Sequence, residues 1–317
     1  MESAVRQIGI TGATGAIGIA LINKCIEHGV EVYAFVRRDS VRISRIPSHP
    51  LVHLVYCALD EMDSFNVSDL PRLDIFYHFA WMKAFGEKAR NDLRTQIKNI
   101  DYAVDAVSLA KRLGCRRFIG VGSQAEYGRT KEVLRPDTPC CPENGYGMAK
   151  LAAGQMTRLE CLRLDMEHVW VRVLSVYGPC DGEGTLVMSV IKDAISGIAP
   201  ACTKGEQLWD YLYSKDAGKA FYLLGEKGDS GKTYVLGNGN SGPLRTYIDK
   251  ICEACAEISL VSSPIRPLYG EIPYSEKQVM HLEADLSELT GDTGFVPMTS
   301  FEEGIRDTIR WYIKTHG

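Results

Sequence analysis

Two side chains four residues apart, Tyr146 and Lys150 in "YGMAK", are the strongest candidates for chemistry in this chain. On a helix that spacing puts both on one face. A phenol titrates near ~10, so at neutral pH it exchanges protons poorly unless its anion is stabilised. A neighbouring ammonium supplies that stabilisation by favouring the charged form. Ser123, in "GVGSQAEYG" at the end of a strand-like run, adds a hydroxyl able to hydrogen-bond an oxygen of the reacting molecule. Each residue alone is ordinary, since YxxxK occurs by chance on many helix surfaces. The three gain meaning only if the fold carries them to one place.

The elements that would carry them alternate along the first half of the chain. "RQIGIT", "EVYAFV", "LVHLVY", "LDIFYHFA", "RRFIGVG" and "HVWVRVLSVYG" read as buried strands. "AIGIALINKCIEHG", "ARNDLRTQIKNIDYAVDAVSLAKRLG" and "GYGMAKLAAGQMTRLECLRL" read as helices between them. Such alternation predicts an α/β chain, a Rossmann-like doubly wound parallel sheet with helices on both faces. Between the first strand and first helix, "TGATGAIG" places Gly12, Gly15 and Gly18 in a GxxGxxG spacing. A turn free of Cβ atoms lets a pyrophosphate approach the backbone, and the helix N-terminus offers it unpaired N–H groups. A dinucleotide held there would bring the positive charge of an oxidised nicotinamide to Tyr146, a second influence favouring the phenolate. The lysine also suits the ribose hydroxyls of such a ligand.

After Gly178 the rhythm loosens and Gly, Pro and Ser become frequent. We expect a nucleotide-binding domain over residues 1–178, with return segments near 206–238. A smaller C-terminal substrate-binding lobe would comprise 179–205 and 239–317. "TYVLGNG" is placed to rejoin the sheet, and "SFEEGIRDTIRWYIK" to close the chain as a helix with Ser300 and Glu303 as a capping box.

Composition narrows the function classes. The 317 residues carry a formal net charge of -4 with both signs interspersed. No basic stripe suggests a nucleic acid polymer, and no apolar run reaches the ~18 residues of a membrane span. The N-terminus lacks the regions of a signal peptide. The ten cysteines are scattered. Cys252 and Cys255 form a CxxC within an amphipathic helix and no second pair or histidine cluster follows, so core packing is expected and no metal site. Free thiols in this number suggest a reducing compartment, hence the cytoplasm.

These motifs together resemble the extended short-chain dehydrogenase/reductase family, in particular its nucleotide-sugar epimerases, dehydratases and reductases. "TGATGAIG" matches the family's TGxxGxxG, "HFAW" its HxA and "YGMAK" its YxxxK. "VRVLSVYGP", "WDYLYSKDAGKA" and the C-terminal "LEADLSELTGDTGFVPMTSFEEGIRDTIRWY" resemble further family segments, so nearly the whole chain is covered. The resemblance implies that Gly12, Thr14, Gly15, Ala16 and Ile17 serve the pyrophosphate and that Asp60 faces the adenine. Phe79, Ala80 and Lys83 would line the cofactor, with Lys83 also near the substrate. Asn99 would support the active-site side. Ser123, Tyr146 and Lys150 would be the catalytic set, and Ser123, Ser175 and Trp209 would stand near a nucleotide-sugar substrate. Many relatives are homodimers built through two long helices, here 88–112 and 146–164.

Relatives that prefer NAD end the second strand with a carboxylate, which accepts bonds from the ribose hydroxyls. Here the strand ends near Val36 and runs into Arg37 and Arg38. Guanidinium groups bind phosphate bidentately, so NADP(H) is the preferred cofactor expected, with NAD(H) the alternative. Dehydratases of the family carry an Asp–Glu pair after the catalytic Ser/Thr, whereas this chain has Gln124 and Ala125, with Glu126 one position late. Dehydration is therefore discounted. The expected activity is NADPH-dependent reduction of a nucleotide-linked 4-keto-(6-deoxy)sugar at C4, with Tyr146 as proton donor. A nucleotide-sugar 4-epimerase is the alternative, since "HFAWMKAFGE" resembles the corresponding epimerase stretch; a catalytically silent NADP-sensing protein ranks below both. Two residues depart from the family. Ser175 replaces an asparagine near the sugar diphosphate, and Trp209 an arginine that pairs with it. Arg245 and Arg266 are candidates to supply the missing charge, and Asp210–Tyr211 is expected only to position its loop.

Overall fold

The computed structural model describes residues 5–259 and 264–316. Strands β1 (Gln7–Thr11), β2 (Glu31–Val36), β3 (Val52–Tyr56), β4 (Ile75–His78), β5 (Arg117–Ser123) and β6 (Glu167–Val173) alternate with helices α1 (Ala16–Glu27), α2 (Glu87–Arg90), α3 (Leu93–Arg112) and α4 (Gly145–Arg163). Short strands β7 (Ser175–Tyr177), β8 (Ala201–Cys202), β9 (Leu208–Trp209) and β10 (Tyr211–Tyr213) follow, with α5 (Leu186–Ile195) and α6 (Ser214–Lys227). Strand β11 (Thr233–Leu236), strands β12 (Gly242–Pro243) and β13 (Leu268–Tyr269), and helices α7 (Leu244–Ser259), α8 (Ser287–Thr293) and α9 (Phe301–His316) complete the order.

Seven strands form one sheet in the order β11-β6-β5-β4-β1-β2-β3, and every pairing in it is parallel. Runs such as Ile8–Thr11 and Val32–Val36 are buried at every position, because helices cover both faces. On one face α1 packs against α6; on the other α3 packs against α4. The order reverses between β1 and β4, and ligands of such sheets bind outside the carboxyl ends of the strands at that point.

The predicted return of "TYVLGNG" to the sheet occurs as β11, beside β6. The Ser300–Glu303 box forms at the start of α9: Ser300 N–H donates to Glu303 Oε2 at 3.0 Å and Glu303 N–H donates to Ser300 Oγ at 3.2 Å. Cys252 and Cys255 lie in the core between α5, α7 and α9, and all ten cysteines are free thiols. The long helix expected from residue 89 is interrupted. Asp92 accepts a hydrogen bond from Thr95 N–H at 3.2 Å and so caps a new helix at Leu93, leaving α2 as a separate turn. That break sets the position of Arg90.

Candidate functional site

The glycine loop lies at the reversal point. Gly12 has φ +70°, and a Cβ there would stand 2.8 Å from Ala80 N. A Cβ on Gly18 would stand 2.4 Å from Gly12 O. These two glycines are required by the protein's own packing. Gly15 differs: its Cβ would meet nothing nearer than Gly12 O at 3.6 Å, so its lack of a side chain keeps space open toward the outside. Ala16 and Ile17 begin α1, whose N-terminus has no side-chain cap and no acidic residue in its first turn. Free N–H groups and an empty approach are what a pyrophosphate needs, so the residues present fit a dinucleotide.

A cleft of about 880 Å³ runs from this loop across the strand ends. Gly12, Thr14 and Gly15 line one wall, Arg37 and Asp60 another, and Phe79, Ala80 and Lys83 a third. His78, at the end of β4, is buried against β1, with Nδ1 3.0 Å from Thr11 Oγ1, which accepts from Ala80 N–H at 3.2 Å. Burial pushes the His78 imidazole down to about 3, so it stays neutral and acts as a strut. Asn99 lies one layer behind the cleft. It is buried on α3, where its side chain accepts from Met82 N–H at 2.9 Å and donates to Met82 O at 3.0 Å, fixing the backbone beside Lys83. Lys83 has φ 55° and is ion-paired with Asp92. Of the two arginines after β2, Arg37 lines the cleft, whereas Arg38 lays its guanidinium over Tyr56 at 5.1 Å. Ser40 and Arg42 also line that wall and had no motif to mark them.

Tyr146, Lys150 and Ser123 do meet. Strand β5 ends in Ser123, and α4 brings Tyr146 over it, capped by Asn144, which accepts from Gly147 N–H at 2.8 Å. All three are buried, at 8%, 3% and 7% exposure. Burial raises the phenol pKa; the nearby Ser123 hydroxyl and the charge of Arg90 oppose the rise, in that order. Lys150 Nζ lies 5.9 Å from the Tyr146 ring centroid and donates to Val121 O at 2.6 Å. It also stands 3.7 Å from the centre of the Trp81 ring. A desolvated contact of that kind contributes about 2 kcal/mol. Burial pushes Lys150 down to about 7. Trp81 itself is held by Gln96, which accepts from its Nε1 at 2.9 Å.

A second hollow of about 570 Å³ opens beside Gln124 and Ala125, bordered by Arg90, Asn144, Arg129 and Lys277. Glu126 points away from it, into the protein. It accepts from Ser123 N–H at 2.8 Å, Arg172 Nε at 2.8 Å and Trp170 Nε1 at 3.2 Å, and has no exposure. Ser175 and Trp209, the two departures, are partners: Trp209 Nε1 donates to Ser175 Oγ at 2.8 Å. Neither lines the two hollows. Asp210 is wholly buried and accepts from the backbone N–H groups of Asn238, Gly239 and Ala284, so it does position its loop. Tyr211 packs in an aromatic cluster with Tyr177, Tyr247 and Phe301. Arg245 is laid on the Tyr269 ring at 4.6 Å, and Arg266 is exposed. Sequence reasoning gave no role to Trp81 or Arg90; aromatic and basic residues where small or neutral ones would suffice were the available signal. Among the described residues no cluster of three His, Cys, Asp or Glu side chains suits a metal ion, and no helix is long and apolar enough to cross a membrane.

Residues 8–237 match the NAD dependent epimerase/dehydratase family. A dTDP-glucose 4,6-dehydratase of Neisseria gonorrhoeae is 24% identical over 97% of this chain and 96% of its own. Among solved structures, a UDP-N-acetylglucosamine 4-epimerase from Methanobrevibacter ruminantium superposes with a TM-score of 0.86 at 22% identity, covering 99% of this chain and 100% of that one. The dTDP-glucose 4,6-dehydratase DesIV from Streptomyces venezuelae does so with 0.85 at 16%, covering 98% of each chain. With the family match spanning most of the chain over a sheet, loop and tyrosine–lysine helix of the expected form, this protein belongs to the NAD dependent epimerase/dehydratase family, as an NAD(P)-dependent enzyme of the extended short-chain dehydrogenase/reductase type.

Proposed function

We propose that this enzyme reduces a nucleotide-linked 4-keto-(6-deoxy)sugar at C4, with NADP(H) as its preferred cofactor. The observation that carries this reading is the wall after β2. It ends in buried Val36 rather than a carboxylate, and Arg37, Ser40 and Arg42 border the cleft where a ribose 2′-phosphate would lie. Asp39 also borders it, 3.8 Å from Arg37 Nε, a contact that phosphate would displace. In this reading Gly12, Thr14, Gly15 and the first N–H groups of α1 hold the pyrophosphate. Asp60 faces the adenine, and Phe79, Ala80 and Lys83 line the remainder. When bound, the nicotinamide supplies hydride to the sugar carbon. Tyr146 gives its proton to the sugar oxygen, Ser123 hydrogen-bonds that oxygen, and Lys150 turns from Val121 O to the ribose hydroxyls. Dehydration, the activity named for the bacterial relatives, lacks its acid–base pair here, because Gln124 and Ala125 border the substrate hollow and Glu126 is committed to Arg172.

The lobe formed by 179–205 and 239–317 would select the sugar nucleotide. By the resemblance, Ser175 and Trp209 would stand near the diphosphate; because the two bond each other, in this reading that contact would come from other residues. The second reading, a 4-epimerase, draws on the similarity to the Methanobrevibacter enzyme and to a UDP-glucose 4-epimerase of Thermotoga maritima. Incubation with a panel of nucleotide-sugars separates the readings. Stoichiometric oxidation of NADPH by a 4-keto-sugar supports reduction. Interconversion of 4-hydroxyl epimers without net oxidation replaces it with epimerisation, and binding without turnover makes the protein a sensor.

A homodimer fits the paired surface of α3 and α4, where Leu93, Ile97, Met156, Leu159 and Leu162 are exposed on adjacent helices. Sedimentation at the mass of a single chain would exclude it. Ten free thiols suit a reducing compartment such as the cytoplasm.

A further inference from the structure

We infer that Arg90 is a second cation serving the Tyr146 phenol: set over the ring from the turn between β4 and α3, it stabilises the phenolate formed when the hydroxyl gives up its proton. This rests on the reading of Tyr146 as the proton donor. It goes beyond the tyrosine–lysine pair, which here leaves the phenol short of positive charge.

The geometry is specific. The Arg90 guanidinium carbon lies 4.8 Å from the centre of the Tyr146 ring, closer than Lys150 Nζ at 5.9 Å. Its Nε donates to Ala84 O at 2.8 Å, which pins the head group from one edge. The guanidinium also rests on the tyrosine ring, and among the described residues no carboxylate pairs with it, so its charge is not cancelled locally. The cap at Asp92 makes this arrangement possible, because an unbroken helix through residues 89–93 would turn Arg90 differently.

The other groups facing the phenol come from four elements. Ser123, at the end of β5, offers a hydroxyl that favours the anion. Glu126, in the turn after β5, opposes ionisation, but Arg172 holds that carboxylate at 2.8 Å. Lys150, on α4, is engaged by Val121 O and the Trp81 ring. Trp81 itself, after β4, presents an uncharged edge at 6.1 Å. Arg90 is therefore the cation nearest the ring, and among the described residues no carboxylate pairs with it. It also borders the 570 Å³ hollow with Gln124 and Asn144, which flank Ser123 and Gly145–Tyr146 in sequence. The proton balance is simple. Tyr146 loses its proton to the substrate oxygen and regains one from solvent, while Arg90 keeps its own throughout because guanidinium does not titrate in this range.

An opposite charge within about 4–6 Å moves a pKa by roughly one to three units, and Arg90 is half-buried, so the lower end applies. The test titrates the tyrosinate absorbance of the full chain saturated with oxidised dinucleotide, using Tyr146→Phe as the blank, without any sugar. Arg90→Gln is expected to raise the Tyr146 titration by about one unit, and Arg90→Lys by clearly less. The basic limb of the kcat/KM profile is expected to move with it. A Gln variant that titrates like the parent overturns the inference, and so do Gln and Lys variants shifting equally, since packing rather than charge would then be responsible. Thermal melts confirm that both variants fold. Because the titration needs no turnover, a shifted phenol in an enzyme inactive toward every 4-keto-sugar would sink the proposed reaction and leave Arg90 standing. Reduction with an unmoved titration would do the reverse.

Discussion

The 880 Å³ cleft and the 570 Å³ hollow are built differently. The 880 Å³ cleft has one part built of backbone and small residues, to which Gly12, Ala13, Gly15, Ala58 and Ala80 contribute, beside longer side chains such as Arg37, Arg42, Phe79 and Lys83. The 570 Å³ hollow is walled by long charged side chains: Glu87, Arg90, Arg129, Glu143, Glu276 and Lys277, drawn from separated parts of the chain. Arg129 pairs with Glu143 at 2.8 Å, so part of that charge is already neutralised. The glycine-loop part tolerates little change, because a Cβ at Gly12 would strike Ala80 N. A hollow of side chains can be retuned by single substitutions, which is where related enzymes would diverge in the sugar they accept.

Three measurements test that contrast. The largest effect is expected at Tyr146. Tyr146→Phe removes the proton donor and should lower kcat about 1000-fold, the scale of general acid–base catalysis, while dinucleotide affinity stays near that of the parent. Activity within a few-fold of the parent would mean that proton transfer uses another group.

A smaller effect is expected at the far wall of the cleft. Loss of a charge-assisted bond costs about 1.5–3 kcal/mol, so Arg37→Gln should reduce the preference for NADPH over NADH by roughly 10–100-fold. Arg38→Gln should matter less, since its guanidinium rests on Tyr56. Equal KM values for the two cofactors in the parent would remove the phosphate site altogether.

The smallest effect concerns Lys150. Burial lowers its pKa from 10.5 to about 7, so between those values the unfolded chain binds more protons than the folded one. Stability from this group therefore rises with pH across that window, and is at its lowest below pH 7. Measured as a difference in urea midpoint from Lys150→Met, the parent should gain steadily above pH 7. A difference that does not change with pH would show that the ammonium keeps its ordinary proton affinity in the fold.

How far the sequence could be read follows the same division. Strands announced themselves by apolar runs, although "LVHLVY", read as buried, is the edge strand β3 with Leu54 and Tyr56 exposed, and the glycine loop announced itself by its place between a strand and a helix. Tyr146 and Lys150 were legible because one helical turn is a local relation. The start of α3 was misplaced by four residues because an uninterrupted helical pattern hid the Asp92 cap. Ser175 and Trp209 were each recognised as departures, yet their mutual bond, across 34 residues, was not visible.

The sequence by itself determined the doubly wound sheet, the open backbone at Gly15 and the phenol–ammonium pair, because each follows from contiguous residues: a period, a missing Cβ, a spacing of four. Only the tertiary structure decided that Lys150 rests on Trp81, that Glu126 turns inward to Arg172, and that Arg90 stands over Tyr146. Those contacts depend on the directions of side chains from different elements packed at one point, and no local pattern along a chain encodes such directions.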